Sequence, residues 1–283
     1  MATRQLRVTA ISVNADIGAL ADNLTRIGQA LASAAGAQLI VLPELCTSGY
    51  VFRDREEACR LALRADDPRL TALAAHLSSG SVAVIGFCEA AGDRLFNSAL
   101  VLDDGGVLGC YRKSHLWGTE HEIFTRGDQA GAVFDTPIGR LGVAICYDNE
   151  FPELPRKLAL SGADVLALPV NWPLVSRPSG EYPPETIQAM AAARSSRLAT
   201  VIADRCGVER GVAWTAGTAV ISADGWIVGT PNRDNRADAV LDLHQDKAIG
   251  PHNDLFADRR PDLYGDIVVP QADHHNQKRG IRV

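Results

Sequence analysis

"DNLTRIGQALASAAGAQLIVLPE", residues 22–44, holds the two periodicities from which the fold is read. Its first part sets Leu24, Ile27, Leu31 and Ala34 at helical spacing and stops at Gly36, a residue suited to a helix C-terminus. Its second part, 37–44, is a short and almost wholly apolar run, the pattern of a strand covered on both faces. A helix that feeds such a strand is a unit of an α/β sheet with helices outside.

The alternation extends in both directions. "LRVTAIS" (6–12) reads as a strand, "DPRLTALAAHLSS" (67–79) as a helix and "SVAVIGFCE" (81–89) as a strand. Further on, helices are expected over 153–163 and 184–199, with strands over 164–171 and 200–206. Hairpins interrupt the rhythm: 95–116 turns at 103–106, 131–146 turns near 136–139, and 217–229 turns at Ala223-Asp224-Gly225. "AVLDL" (239–243) closes the regular part. The expected fold class is therefore α/β, with sheets that mix parallel and antiparallel strands. No Pro/Ser linker and no internal repeat is visible. The polar stretch from 246 carries Pro251, Pro261 and Pro270 and reads as an irregular tail, with His274-His275 solvated in it.

Composition bounds the function. With 283 residues, 46% of them hydrophobic, the chain can bury a large core. Its net charge of −6 argues against broad nucleic-acid binding, which depends on Lys and Arg neutralising phosphates. No apolar run approaches the ~18 residues of a membrane span, and the opening "MATRQLRVTAISVN" is not a secretion signal. None of the six cysteines forms a Cys-x-x-Cys, so reduced, mostly buried thiols and a cytoplasmic location are expected. The sequon at Asn23 reads as accidental.

Reactive side chains gather at three expected strand ends: Glu44 after "LIVLP", Lys113 after "VLGCYR" and Cys146 after "LGVAI". Sheets of this kind bind ligands beyond the carboxyl ends of their strands. A thiol attacks a carbonyl as a thiolate, a carboxylate can take its proton, and an ammonium can hold the oxyanion that forms. Taken singly, each residue also has a plain reading: a small buried hydrophobe, a loop acid, a surface cation.

Their contexts are more specific. "LIVLPELCTSGY" (39–50), "CYRKSHLWGTEHEIFTRGD" (110–128) and "LGVAICYDNEFPE" (141–153) resemble, in order, three signature segments of the nitrilase superfamily of carbon–nitrogen hydrolases. The likeness runs from about residue 6 to 243 and includes "LALPVNWP" (166–173) and the hairpin 217–229. It implies a four-layer αββα sandwich, and the hydrolase domain is placed over 1–245; the tail, 246–283, either frays or packs on a partner subunit. It also implies a homodimer or larger homo-oligomer, and no metal or organic cofactor.

The family's Glu–Lys–Cys triad falls on Glu44, Lys113 and Cys146, and its second glutamate on Glu120, with Glu122 two residues away. The implied reaction is hydrolysis of a small carboxamide through a thioester on Cys146, the oxyanion being held by Lys113 and the N–H of Tyr147. On that basis Lys113→Ala is expected to fold and to be nearly inactive. Tyr50, Trp117, Tyr147, Glu150, Asn171 and Trp172 are the expected pocket residues. Tyr147-Asp148 stands where true nitrilases place Trp-Glu, which favours amides. A nitrilase, an N-carbamoyl amide hydrolase and a non-catalytic interaction protein are the alternatives.

Overall fold

The computed structural model describes residues 4–243 and 246–269. The chain divides into a large unit, Met1–Gln245, and a small one, Asp246–Val283. In the large unit the first half runs β1 (Arg4–Ile11), α1 (Leu20–Ser33), β2 (Leu39–Val41), α2 (Arg55–Leu61), α3 (Pro68–Thr71), β3 (Val82–Ala91), β4 (Arg94–Asp103), β5 (Gly106–Arg112) and α4 (Glu120–Ile123). The second half runs β6 (Ala132–Thr136), β7 (Gly139–Val143), α5 (Glu153–Leu160), β8 (Val165–Pro169), α6 (Pro184–Ser196), β9 (Ala199–Ala203), β10 (Val208–Glu209), β11 (Val212–Ala213), β12 (Ala219–Ile221), β13 (Ile227–Gly229) and β14 (Arg236–Leu243).

Two six-stranded sheets result, in the orders β14-β1-β2-β3-β4-β5 and β13-β12-β9-β8-β7-β6. β2 is parallel to β1 and β3, and β8 is parallel to β7 and β9, while all outer pairings are antiparallel. Read from β14 and from β6, the two sheets repeat one sequence of pairings: antiparallel, parallel, parallel, antiparallel, antiparallel. The sheets pack face to face through β1, β2 and β3 against β8, β9 and β12. α1 covers the far side of the first sheet, laying Ile27 and Leu31 on Ile40, Ile85 and Leu100. α5 and α6 pack together, and α6 lies on β9 and β12 of the second. This is an αββα sandwich.

The central strands are apolar because both their faces are covered. Leu39, Ile40 and Val41 are all at most 1% exposed, and burying each such side chain stabilises the fold by roughly 2 kcal/mol. Asn23 is buried too, its Nδ2 donating to the carbonyls of Asp16 and Thr47 at 2.8 and 3.0 Å. That burial leaves the sequon no exposed amide.

Several expected elements are shorter than their apolar pattern. The helix expected over 67–79 is α3 followed by a 3₁₀ turn, Ala72–His76. α5 stops at Leu160, and α6 stops at Ser196, where Arg197 turns left-handed at φ 48°. α2, unforeseen in the sequence, is started by Asp54, whose side chain accepts from the Glu57 N–H at 2.7 Å. The small unit holds a short hairpin, β15 (Ala248–Gly250) with β16 (Asn253–Asp254), and two 3₁₀ turns, Pro261–Leu263 and Gly265–Val268. His274-His275 lies outside the described residues.

Candidate active site

Glu44, Lys113 and Cys146 do not end strands. β2 stops at Val41 and β7 at Val143, so Glu44 and Cys146 each stand three residues further on, and Lys113 is the first residue past β5. The difference matters for how each is held. Beyond Val41 the chain crosses the face of β3 at Gly86. A Cβ there would lie 2.4 Å from the carbonyl oxygen of Pro43 and 2.5 Å from Cα of Glu44, so only a glycine allows the crossing. Leu45 then takes φ 49°.

Cys146 likewise sits at φ 48°, a left-handed conformation that non-glycine residues rarely adopt, at the start of a 3₁₀ turn, Cys146–Glu150. Asp148 holds this elbow. Its Oδ2 accepts from the Ile145 N–H at 3.0 Å and the Tyr111 hydroxyl at 2.7 Å. Its Oδ1 accepts from the Ser114 hydroxyl and the His115 N–H, both at 3.0 Å. Asp148 is therefore buried under the turn and ties it to the segment carrying Lys113. It does not line the cavity, so of the Tyr147-Asp148 pair only Tyr147 can meet a substrate directly.

Lys113 is fully buried between two carboxylates. Its Nζ donates to Glu44 Oε1 at 2.7 Å and to Glu120 Oε1 at 2.8 Å. Glu120, at the start of α4, is the second glutamate of the cluster, whereas Glu122 is exposed. Glu120 Oε1 also accepts from the Tyr50 hydroxyl at 2.6 Å, and its Oε2 from the Trp117 N–H at 3.0 Å. Asn97, on β4 and unforeseen in the sequence, donates to Glu44 Oε1 at 2.7 Å. Its signal, one asparagine in an apolar strand, is too common to be read alone. Glu44 Oε2 is buried and without a hydrogen-bond partner among the described residues.

The electrostatics follow from burial. Burial pushes the Glu44 carboxyl up to about 7 against the pull of Lys113. Burial opposes charge on Lys113, but Glu120 and Glu44 outweigh it and hold the ammonium well above its usual range. Burial, and then Glu44, raise the Cys146 thiol well above its usual value, with Lys113 and a backbone hydrogen bond from Asn171 working the other way. The resting site thus holds a neutral thiol, a charged lysine and a carboxyl poised near neutrality.

A cavity of about 390 Å³ opens beside Cys146, and Tyr50, Trp117, Tyr147, Glu150, Asn171 and Trp172 all line it. Trp172 is fixed from behind by Asp204, unforeseen in the sequence, whose carboxylate accepts from the N–H groups of Trp172, Arg205 and Gly217 at 3.0, 2.8 and 2.7 Å. Among the described residues no group of three or more His, Cys, Asp or Glu is arranged to hold a metal ion.

A thiol on a strained elbow, an ammonium between two carboxylates and an adjoining cavity suit attack on a polarised carbon. The comparisons agree. Residues 1–246 match the family model described as carbon-nitrogen hydrolase. A protein of Pyrococcus abyssi (strain GE5 / Orsay) named nitrilase is 37% identical over 82% of this chain and 88% of its own. An (R)-stereoselective amidase of Pseudomonas sp is 32% identical over 94% of each chain. Among solved structures, an amidase of Nesterenkonia sp. AN1, described with acrylamide added at its active-site cysteine, superposes with a TM-score of 0.74. It is 26% identical, over 93% of this chain and all of that one. The chain belongs to the carbon–nitrogen hydrolase family, within the nitrilase superfamily, and is a hydrolase of carbon–nitrogen bonds.

Proposed function

We propose that this hydrolase is a cysteine amidase that converts a small carboxamide to a carboxylic acid and ammonia. The observation that carries the reading is the Lys113 ammonium fixed between Glu44 and Glu120 beside the cavity that Cys146 lines. In this reading Glu44, with its free Oε2 and a pKa of about 7, takes the Cys146 proton as the thiolate attacks the amide carbon. Lys113 and the Tyr147 N–H hold the oxyanion. Glu44 returns the proton to the departing ammonia, leaving a thioester on Cys146. It then draws a proton from the water that hydrolyses the thioester. Glu120 fixes the lysine, and needs no further chemistry.

Relatives named amidase support amide over nitrile, as does the match to the Nesterenkonia enzyme over nearly the whole chain. The relative named nitrilase keeps nitriles in the test. A panel of amides, nitriles and N-carbamoyl amines is assayed for ammonia release, with Cys146→Ala alongside. Amide turnover lost in Cys146→Ala is the expected result. Turnover confined to nitriles or carbamoyl compounds moves the reading to that branch, and equal activity in the variant removes the cysteine mechanism.

The proposal extends to a cytoplasmic homo-oligomer whose tail, 246–283, packs on a partner subunit. Leu160 and Ile187, exposed on α5 and α6, support an oligomer, and six free cysteines fit a reducing compartment. Sedimentation of the full chain against one truncated after Gln245 tests both parts: a dimer or larger species is expected, weakened by the truncation.

A further inference from the structure

The cavity beside Cys146 carries two carboxylates that hydrolysis does not use. Glu150 closes the turn that begins at Cys146, and Glu185 is the second residue of α6; both line the cavity. The turn and α6 pack on each other, so two elements bring acids to one space. Glu185 is half-buried; its Oε2 is buried and has no hydrogen-bond partner among the described residues. A place in the first helical turn favours a carboxylate, but it supplies no donor to an oxygen withdrawn from water, and such an oxygen is costly to leave unpaired. Glu150 is exposed at the rim of the cavity; partial desolvation, and then the charge of Glu185, raise its carboxyl.

What surrounds these acids narrows the ligand. Among the described residues no Lys, Arg or His lines the cavity. The nearby Lys113 is already committed to Glu44 and Glu120. The lining includes Trp117, Tyr147 and Trp172, and aromatic ring faces attract cations. A neighbouring hollow of about 180 Å³ shares Tyr50 and Trp117 but neither Glu150 nor Glu185, so the two acids mark one end of the site.

We propose that Glu150 and Glu185 select amides whose acyl chain ends in a protonated amine. The subsite rests on the amidase reading above. The carboxamide meets Cys146 while the ammonium, with three N–H donors, pairs with Glu185 Oε2 and with Glu150 at the rim. A neutral chain leaves Glu185 Oε2 unpaired, and an anionic chain meets like charge.

Three amides of matched length test this at low salt: ω-aminovaleramide, hexanamide and adipamate. The expected kcat/KM falls in that order, with the first at least about tenfold above the second, the size of one charge-assisted hydrogen bond. In the E150Q/E185Q variant that ratio narrows to within about threefold. Should the double variant not fold, E150Q alone must narrow it. Hexanamide hydrolysed as well as the amine overturns the subsite and leaves the amidase. A ratio unchanged in the variants also overturns it.

Alkylation of Cys146 by iodoacetamide gives a second reading that needs no turnover. Pentylammonium is expected to slow it more than pentanol does. That result without hydrolysis of any amide retains the cation site and rejects the amidase, whereas equal protection by the two rejects the cation site.

Discussion

Asn171 Nδ2 donates to the main-chain oxygen of Glu44 at 2.8 Å. The bond joins the two sheets of the sandwich, since Glu44 follows β2 and Asn171 follows β8. The proposed base and nucleophile stand on opposite sheets, so their separation depends on how the sheets pack. Asn171→Ala leaves the Glu44 carbonyl buried without that donor, at a cost of about 1–3 kcal/mol. The expected outcome is a Tm lower by several degrees and a larger relative loss in kcat, read by thermal melts and ammonia release.

Lys113→Met tests the buried triad. From sequence, removal of this lysine is expected to abolish activity and spare the fold. The ion pairs to Glu44 and Glu120 add a second effect, because breaking a buried pair costs about 3–5 kcal/mol. Turnover should fall at least about a hundredfold, the scale of one oxyanion donor, and urea denaturation should show lower stability. The stability loss should shrink when Glu120→Gln is added, because one of the two stranded charges is then gone.

The pH dependence follows from Glu44. Its carboxyl is raised to about 7, and as a proton acceptor it works only when ionised. kcat/KM should therefore rise with pH through about 7 and level above it. The stability contribution has the opposite sign. The folded state binds the Glu44 proton more tightly than the unfolded chain, so this group favours folding below the ordinary carboxylate range and loses that effect as pH rises to about 7. Activity and melting profiles over the same range check both directions.

Gly86→Ala tests the crossing beneath Glu44. The added carbon would press on the backbone of Pro43, Glu44 and Leu45 at 2.4–2.6 Å, with no flexible side chain to give way. Overpacking of this kind costs about 1–3 kcal/mol. A displacement of the carboxylate by about 1 Å should lower kcat about a hundredfold. Near-normal kcat in a folded variant would show that the crossing has room to move.

The local patterns were legible where burial sets the residue type. "LIVLP" and "LALP" are apolar because β2 and β8 are covered on both faces, and these runs alone point to an α/β sheet. Helix ends were less legible, since apolar residues continue past α6 while Arg197 turns left-handed. The repeated pairing of the two sheets was invisible, because the same topology is filled by different side chains. Asn97, Asp148 and Asp204 were equally hidden: each acts through bonds to residues far off in the chain.

The sequence by itself determined the family-level fold and pointed to the four residues of the candidate site, through three separated segments that keep their order. Only the tertiary structure shows that Glu120 reaches Lys113 while Glu122 stays exposed, because that depends on how α4 meets the segment after β5. It also decided that Cys146 rides an elbow rather than a strand end, since Asp148 holds the turn from beneath with bonds to residues 111–115. And it alone brought Glu150 and Glu185 to one cavity: they lie on separate elements, and their common surroundings exist only once the turn and α6 have packed.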